Sequence, residues 1–308
     1  MPESPQITVP VLFLIFNRPD TTQQVFNEIR RARPPQLFIA ADGPRKNRPD
    51  DPENCRKARE IAKQVDWDCK VSTLFRDENH GCKIGVSSAI DWFFSNVEEG
   101  IILEDDCVPD QSFFPFCQEL LERYRYDERV MMISGDNFQF GRQRTEYSYY
   151  FSRYVHIWGW ASWRRAWNNY DVSMKLWPMI RDGSWLRDIF DDQNAVTYWT
   201  QCFEDTHAGK IDTWDYEWMF ACWIQNGLVI LPNVNLVSNI GFDKSGTHTK
   251  GETIFSRLPP KKVIFPLVHP KYIIRDCNSD NYTEHILFSR SGSLISLLKS
   301  KFKLMMNK

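Results

Sequence analysis

Three absences narrow the field. No run of the chain reaches the roughly 18 apolar residues needed to span a bilayer. The eight cysteines, at 55, 69, 82, 107, 117, 202, 222 and 277, include no C-x-x-C pair, which argues against a zinc knuckle or a thioredoxin-type site. The formal net charge is only −2, so there is no broad basic field to attract nucleic acid. Repeats and low-complexity tracts are lacking too. Met1-Pro2-Glu3-Ser4-Pro5 has neither the basic nor the apolar region of a signal peptide. Cys82, Cys107 and Cys222 sit in apolar contexts, as reduced thiols do. The expectation is a cytoplasmic, reducing location.

What is present suits a folded, soluble chain. With 308 residues, 42% hydrophobic and 25% charged, it can bury a full core as one large domain or two modest ones. Its 12 Trp and 14% aromatic residues are the unusual numbers. Flat apolar faces with a polar edge suit sugar rings and core packing alike.

Val9 to Phe16 reads as a nearly continuous apolar strand. The turn Asn17-Arg18-Pro19-Asp20 follows, then a helix to about Arg31. Gln36 to Ala41 and Lys70 to Phe75 read as strands, with a helix from Cys55 to Val65 between them. Cys82 to Val97 has helical periodicity, and Ile101-Ile102-Leu103 opens a fourth buried strand. This alternation predicts an α/β fold, a mostly parallel sheet with helices on both faces. Further on, the pattern predicts a helix over Gln111 to Tyr124, a strand over Val130 to Ser134, and a loop over 138–150. It then predicts helices over Trp163 to Tyr170, 192–208 and 216–226, and short strands at Leu228 to Leu231 and Val234 to Val237. Residues 239–252, rich in Gly, Lys, Ser and Thr, read as a mobile loop.

The fourth strand ends in Glu104-Asp105-Asp106. A core does not stabilise three adjacent carboxylates, because a buried charge is costly unless paired or metal-bound. Strand C-termini are also where α/β sheets bind ligands. Two carboxylates there suit Mn²⁺ or Mg²⁺ shared with a substrate phosphate. An exposed acidic turn is the other reading.

Further markers follow in order: Pro109-Asp110, Gly159-Trp160, Trp214-Asp215 and Ser245-Gly246-Thr247-His248. Over roughly residues 8 to 250 the chain resembles the nucleotide-sugar glycosyltransferases of the GT-A type, in particular N-acetylglucosaminyltransferase I and bacterial family 2-like relatives. The resemblance implies a Rossmann-like GT-A sheet with an acceptor-side extension. It also implies metal-dependent, inverting transfer of a sugar from a nucleotide-diphosphate donor, UDP by expectation, to a hydroxyl of a glycan or glycolipid.

The same resemblance distributes roles. Asp106 would bind the metal, Asp105 the ribose or a metal-bound water, and Glu104 the sugar or the site floor. Arg18 would touch the nucleotide, as base-stacking or phosphate-binding guanidinium, or else sit in a surface turn. Asp42 would read the uracil edge, or else make an Asx-turn before Gly43. Asn79 to Lys83 would lie across the nucleotide, with Lys83 on a phosphate or in solvent. Trp158, Gly159 and Trp160 would floor the acceptor side, with core packing as the alternative. Asp215 matches the base that takes the acceptor proton. Because Tyr216 intervenes before the next acid, Glu217 is a rival base. Thr247 and His248 would belong to a loop closing over the diphosphate.

The expected organisation is a catalytic domain over 1–255 and a C-terminal extension over 256–308. Residues 8–135 would form the nucleotide-sugar half and 136–255 the acceptor half. The apolar and basic stretch from Leu294 to Met306 would lie on an anionic membrane surface at the inner face of the cytoplasmic membrane, or pack on the body. Two rival functions are a sugar nucleotidyltransferase and a non-catalytic carbohydrate-binding protein. The first wants a Gly-rich phosphate loop after the first strand, where Phe16-Asn17-Arg18-Pro19-Asp20 has no Gly. The second leaves the strand-end acids unexplained.

Overall fold

The structure, a computed structural model, describes residues 7–241 and 258–288. Thr247, His248 and the stretch from Leu294 lie outside those residues. The first half contains β1 (Val11–Ile15), α1 (Pro19–Ala32), β2 (Gln36–Ala41), α2 (Asp51–Ala62), β3 (Lys70–Phe75), α3 (Gly81–Asn96), β4 (Glu99–Glu104), β5 (Cys107–Pro109), α4 (Phe113–Arg123) and β6 (Val130–Ser134). It continues with β7 (Tyr149–Ser152), β8 (Trp160–Trp163), α5 (Arg164–Trp167), α6 (Trp177–Asp182), α7 (Leu186–Ile189), α8 (Gln193–His207), α9 (Asp215–Ile224), β9 (Leu228–Pro232), β10 (Val237–Asn239) and α10 (Cys277–Thr283). A π-helical turn over Glu284–Phe288 follows α10.

Eight strands form one sheet in the order β3-β2-β1-β4-β8-β6-β9-β7. The pairs β3/β2, β2/β1, β1/β4 and β6/β9 are parallel, whereas β8 runs antiparallel to both β4 and β6, and β7 to β9. The expected α/β class, a mostly parallel central sheet flanked by helices, is therefore what the chain adopts. β1 is buried at every position, as a strand covered on both faces must be. Alternate residues serve opposite cores. Val11, Phe13 and Ile15 join Ile101 and Leu103 of β4 and Val25, Phe26 and Ile29 of α1. Leu12 and Leu14 join Ile102 and, from α3, Ala89, Ile90 and Phe93. That second core also takes Trp160, Trp167, Trp177, Trp199, Trp214, Trp218 and Trp223, so most of the tryptophan excess is packing.

Several strands depart from the expectation. β7 emerges at the end of the stretch read as a loop. β8 lies inside the Trp-rich stretch, and only Arg164–Trp167 beyond it is helical. Trp160-Ala161-Ser162-Trp163 is buried at all four positions. It fills the gap between β4 and β6, where pairing on both edges outweighs local helix preference. The last short strand sits at Val237–Asn239, further along than expected.

Beyond residue 257 the chain is tied into the body. Asp276 N–H donates to Phe151 O at 2.8 Å. Asp280, buried, accepts from Ser152 Oγ at 2.5 Å and Arg153 N–H at 3.2 Å. Glu284 accepts from Trp199 Nε1 at 3.1 Å and from the Tyr154 hydroxyl. Among the described residues, no helix is long and apolar enough to cross a membrane.

Candidate functional site

Parallel strands put their C-terminal ends on one edge. Arg18 follows β1, Asp42 follows β2, the acid triplet closes β4 and Gly135-Asp136 follows β6. The turn after β1 is braced at its base. Asn17 Nδ2 donates to Asp51 Oδ1 at 2.7 Å, and Arg45 Nε donates to Asp51 Oδ2 at 2.6 Å. The Arg45 guanidinium also lies 5.2 Å from the Phe16 ring centroid. Burial pushes the Asp51 carboxyl up, but the bonds from Arg45 and Asn17 outweigh it and hold it below its ordinary value.

From this turn Arg18 reaches across to the triplet. Its Nη1 pairs with Asp106 Oδ2 at 2.8 Å and its Nη2 with Asp105 Oδ1. Asp105 Oδ2 accepts the Phe16 N–H at 3.1 Å. Asp105 and Asp106 are buried, and Glu104 is half-buried. Burial works against the Arg18 charge, yet Asp105 and Asp106 raise its pKa above the ordinary value. Burial, then Asp106, pushes the Glu104 carboxyl up; burial likewise pushes Asp105 up, with Arg18 opposing. The two-pronged contact is the geometry of an ionised pair.

The chain returns over this cluster. β10 pairs with β5, Asn239 opposite Cys107, and Ile240 N–H donates to Asp106 O at 2.8 Å. A Cβ on Gly241 would run into Asp106 Oδ2 and come within 2.9 Å of Arg18 Nη1. Gly241 thus lets backbone close on the ion pair without displacing it, a role the sequence reading missed.

Asp42 and Asn79 serve the start of α3. Asp42 accepts from Asn79 Nδ2 at 2.9 Å, from His80 N–H at 2.9 Å and from Gly81 N–H at 3.2 Å. Asp212, which sequence reasoning also missed, accepts the Lys83 N–H at 3.2 Å. Gly81 has φ +77° between these acids. The Asp42 bonds are long-range contacts to the start of α3, not an Asx-turn before Gly43, and the carboxylate faces the helix start rather than open solvent.

The Lys83 ammonium lies 2.6 Å from Glu217 Oε1, with the Glu217 side chain 0% exposed. Burial pushes the Glu217 carboxyl up to about 7, with Lys83 pulling the other way and Asp215 adding to the rise. Asp215 opens α9, is half-buried, and accepts from the Thr213 hydroxyl. The two groups of acids share one region. Asp215 contributes to the rise at Glu104. Cys82, its thiol pushed up first by burial, feels Glu104, Asp215, Asp212 and Glu217 together.

On the acceptor side, Trp158 is half-buried, with the Phe138 ring edge-on at 4.9 Å. Asp136 fixes its turn, accepting the Trp158 N–H at 3.1 Å and pairing with His156 Nδ1 at 2.8 Å. A Cβ on Gly159, at φ +64°, would come within 2.9 Å of Val237 and 3.1 Å of Leu103. Trp160 is fully buried and stacks on Trp214 at 5.6 Å. It has no face to offer a sugar, so its place is in the core and the expected acceptor contact is withdrawn.

Asp105 and Asp106 present carboxylate oxygens, the kind of donor a divalent cation takes, and both are engaged by Arg18. The guanidinium already stands between two strand-end carboxylates, which marks the spot as one that holds positive charge. Among the described residues no three His, Cys, Asp or Glu side chains group to hold an ion. An ion here would rest on Asp105 and Asp106 and take its other oxygens from ligand, as Mg²⁺ and Mn²⁺ do with phosphates.

No protein-family model matches the chain, and no curated protein matches it in sequence. A solved structure, HddC from Yersinia pseudotuberculosis, aligns at 9% identity and a TM-score of 0.32, over 51% of this chain and 78% of that one. The functional reading therefore stands on the geometry of the site.

Proposed function

We propose that the protein is a GT-A type glycosyltransferase. It moves a sugar from a nucleoside-diphosphate donor, UDP-linked, to a hydroxyl of a glycan or glycolipid with inversion. The observation that carries this reading is the convergence just described. Glu104, next to the strand-end carboxylates Asp105 and Asp106 that Arg18 bridges, lies within electrostatic reach of a half-buried acid, Asp215, borne on a different element.

Asp105 and Asp106 are the carboxylates that would hold a Mn²⁺ or Mg²⁺ ion. Such an ion, when bound, neutralises charge on the leaving diphosphate. Lys83 adds a second positive charge, and Glu217 holds it in place. Asp42 and Asp212 fix the start of α3, from which Lys83 projects. Asp215 takes the acceptor proton, a task that needs a carboxylate within reach of the acceptor oxygen. Glu217 suits that task less well, because it is sealed from solvent and committed to Lys83. Trp158, edged by Phe138, offers the acceptor a half-exposed aromatic face.

The test is the anomeric configuration of the product. With an α-linked UDP-sugar and an acceptor that supports turnover, NMR should show a β linkage. A retained α linkage contradicts the single displacement from Asp215.

A further inference from the structure

The Arg18 contact leaves a charge imbalance. Two carboxylates, Asp105 and Asp106, share one guanidinium, so the buried cluster has one negative charge in excess. The base of the arginine arm is fixed by Asn17, Asp51 and Arg45. Its tip is held by the two acids, with Gly241 closing over it.

This imbalance affects each ligand differently. A diphosphate arriving alone meets net negative charge. A divalent cation arriving alone must displace a guanidinium that makes two charge-assisted contacts, which are the strong kind. Arriving together, the cation satisfies both carboxylates and the displaced guanidinium finds phosphate, for which its fork is suited.

We propose that Arg18 is a resident counter-ion, occupying the cation position of the Asp105–Asp106 pair and making binding of a divalent cation and a nucleoside diphosphate depend on each other through its release. The proposal rests on the nucleotide-binding reading above. It adds that the coupling is carried by Arg18, not only by a metal placed between carboxylates and phosphates. Metal bridging alone would leave the coupling unchanged when Arg18 is replaced.

The test follows free Mn²⁺ by electron paramagnetic resonance as the full chain is titrated, with and without UDP. In the parent, UDP should tighten Mn²⁺ binding by about 5- to 150-fold, the usual range of site–site coupling, and Mn²⁺ should tighten UDP equally. Arg18→Gln should bind Mn²⁺ alone more tightly than the parent and lose most of that coupling. Arg18→Lys keeps the charge but is a single point instead of a fork, and should fall between. The lysine variant is the safeguard if the glutamine variant folds poorly. In that event Mn²⁺ alone should also raise the glutamine variant's melting temperature more than the parent's. Unchanged Mn²⁺ affinity and undiminished coupling in the variants overturn the proposal while leaving the nucleotide reading intact. If the Mn²⁺–UDP pair fails to bind the parent at all, both fall.

Discussion

Two buried ionic clusters belong to this site, and they are built differently. At the β4 end, two carboxylates share one arginine, with a third acid beside them. At the α9 start, one carboxylate, Glu217, meets one lysine at 2.6 Å, and the neighbouring Asp215 stays half-buried. An unbalanced cluster attracts a further cation, whereas a balanced pair holds its members still. The first therefore suits a ligand that brings positive charge with it. The second suits the positioning of Lys83 and leaves Asp215 to exchange a proton.

Breaking the proposed division of labour at α9 should have the largest effect. Asp215→Asn should lower kcat by roughly 10²–10⁴, the usual contribution of a general base, with donor affinity nearly unchanged. Glu217→Gln should cost much less in kcat. The opposite ranking, read in steady-state kinetics, would move the base to Glu217.

Next in size is the loss of one member of the balanced pair. Lys83→Met strands a buried carboxylate, and breaking such a pair costs about 3–5 kcal/mol. Protonation rescues a stranded acid, so denaturant unfolding should show a larger loss at pH 8 than at pH 6. A loss that does not vary with pH would contradict the pairing.

The same group sets a smaller dependence in the parent. Glu217 rises from an ordinary 4.5 to about 7 on folding. Between those values the folded chain holds a proton that the unfolded chain has released. Its contribution to stability is therefore present below pH 4.5 and lost as pH rises through 7, by at most about 1.4 kcal/mol per pH unit. Glu217→Gln should flatten that part of the stability profile; an unaltered slope would place the titration elsewhere. The smallest effect belongs to Asp42→Ala, which removes the acceptor of the His80 and Gly81 N–H groups at the start of α3. Loss of such a cap costs about 0.5–2 kcal/mol, measurable as a lower denaturation midpoint.

The sheet was legible wherever strands were apolar and flanked by turns. Lys70–Phe75 and Val130–Ser134 match the expected bounds, and the alternation of β1 to β4 with helices announced the fold class. β8 was not legible, because Trp160-Ala161-Ser162-Trp163 has no period that separates a strand from a buried helix; pairing partners decide it. β7 was hidden because its four residues follow a polar stretch.

For the site, the acid triplet stood out because charge ended an apolar run. Its partner did not. Arg18 lies 87 and 88 positions from Asp105 and Asp106, and no local pattern reports a contact made by parallel strand ends. Lys83 with Glu217, and Gly241 over Asp106, are the same kind of long-range fact. Trp160 was misread for a related reason: a tryptophan in sequence does not say whether its face meets a sugar or, as here, Trp214.

The most direct test of the central claim is a thermal-shift panel of nucleoside diphosphates, each with Mn²⁺, on the parent and on Asp106→Ala. A specific ligand stabilises the fold as RT ln(1 + [L]/Kd), about 2.7 kcal/mol at a hundredfold excess over Kd. UDP with Mn²⁺ should raise the parent's melting temperature above the other diphosphates and leave the folded Asp106→Ala variant unmoved. A parent that responds to no diphosphate, or a variant that responds as the parent does, would contradict a nucleotide site on this sheet edge.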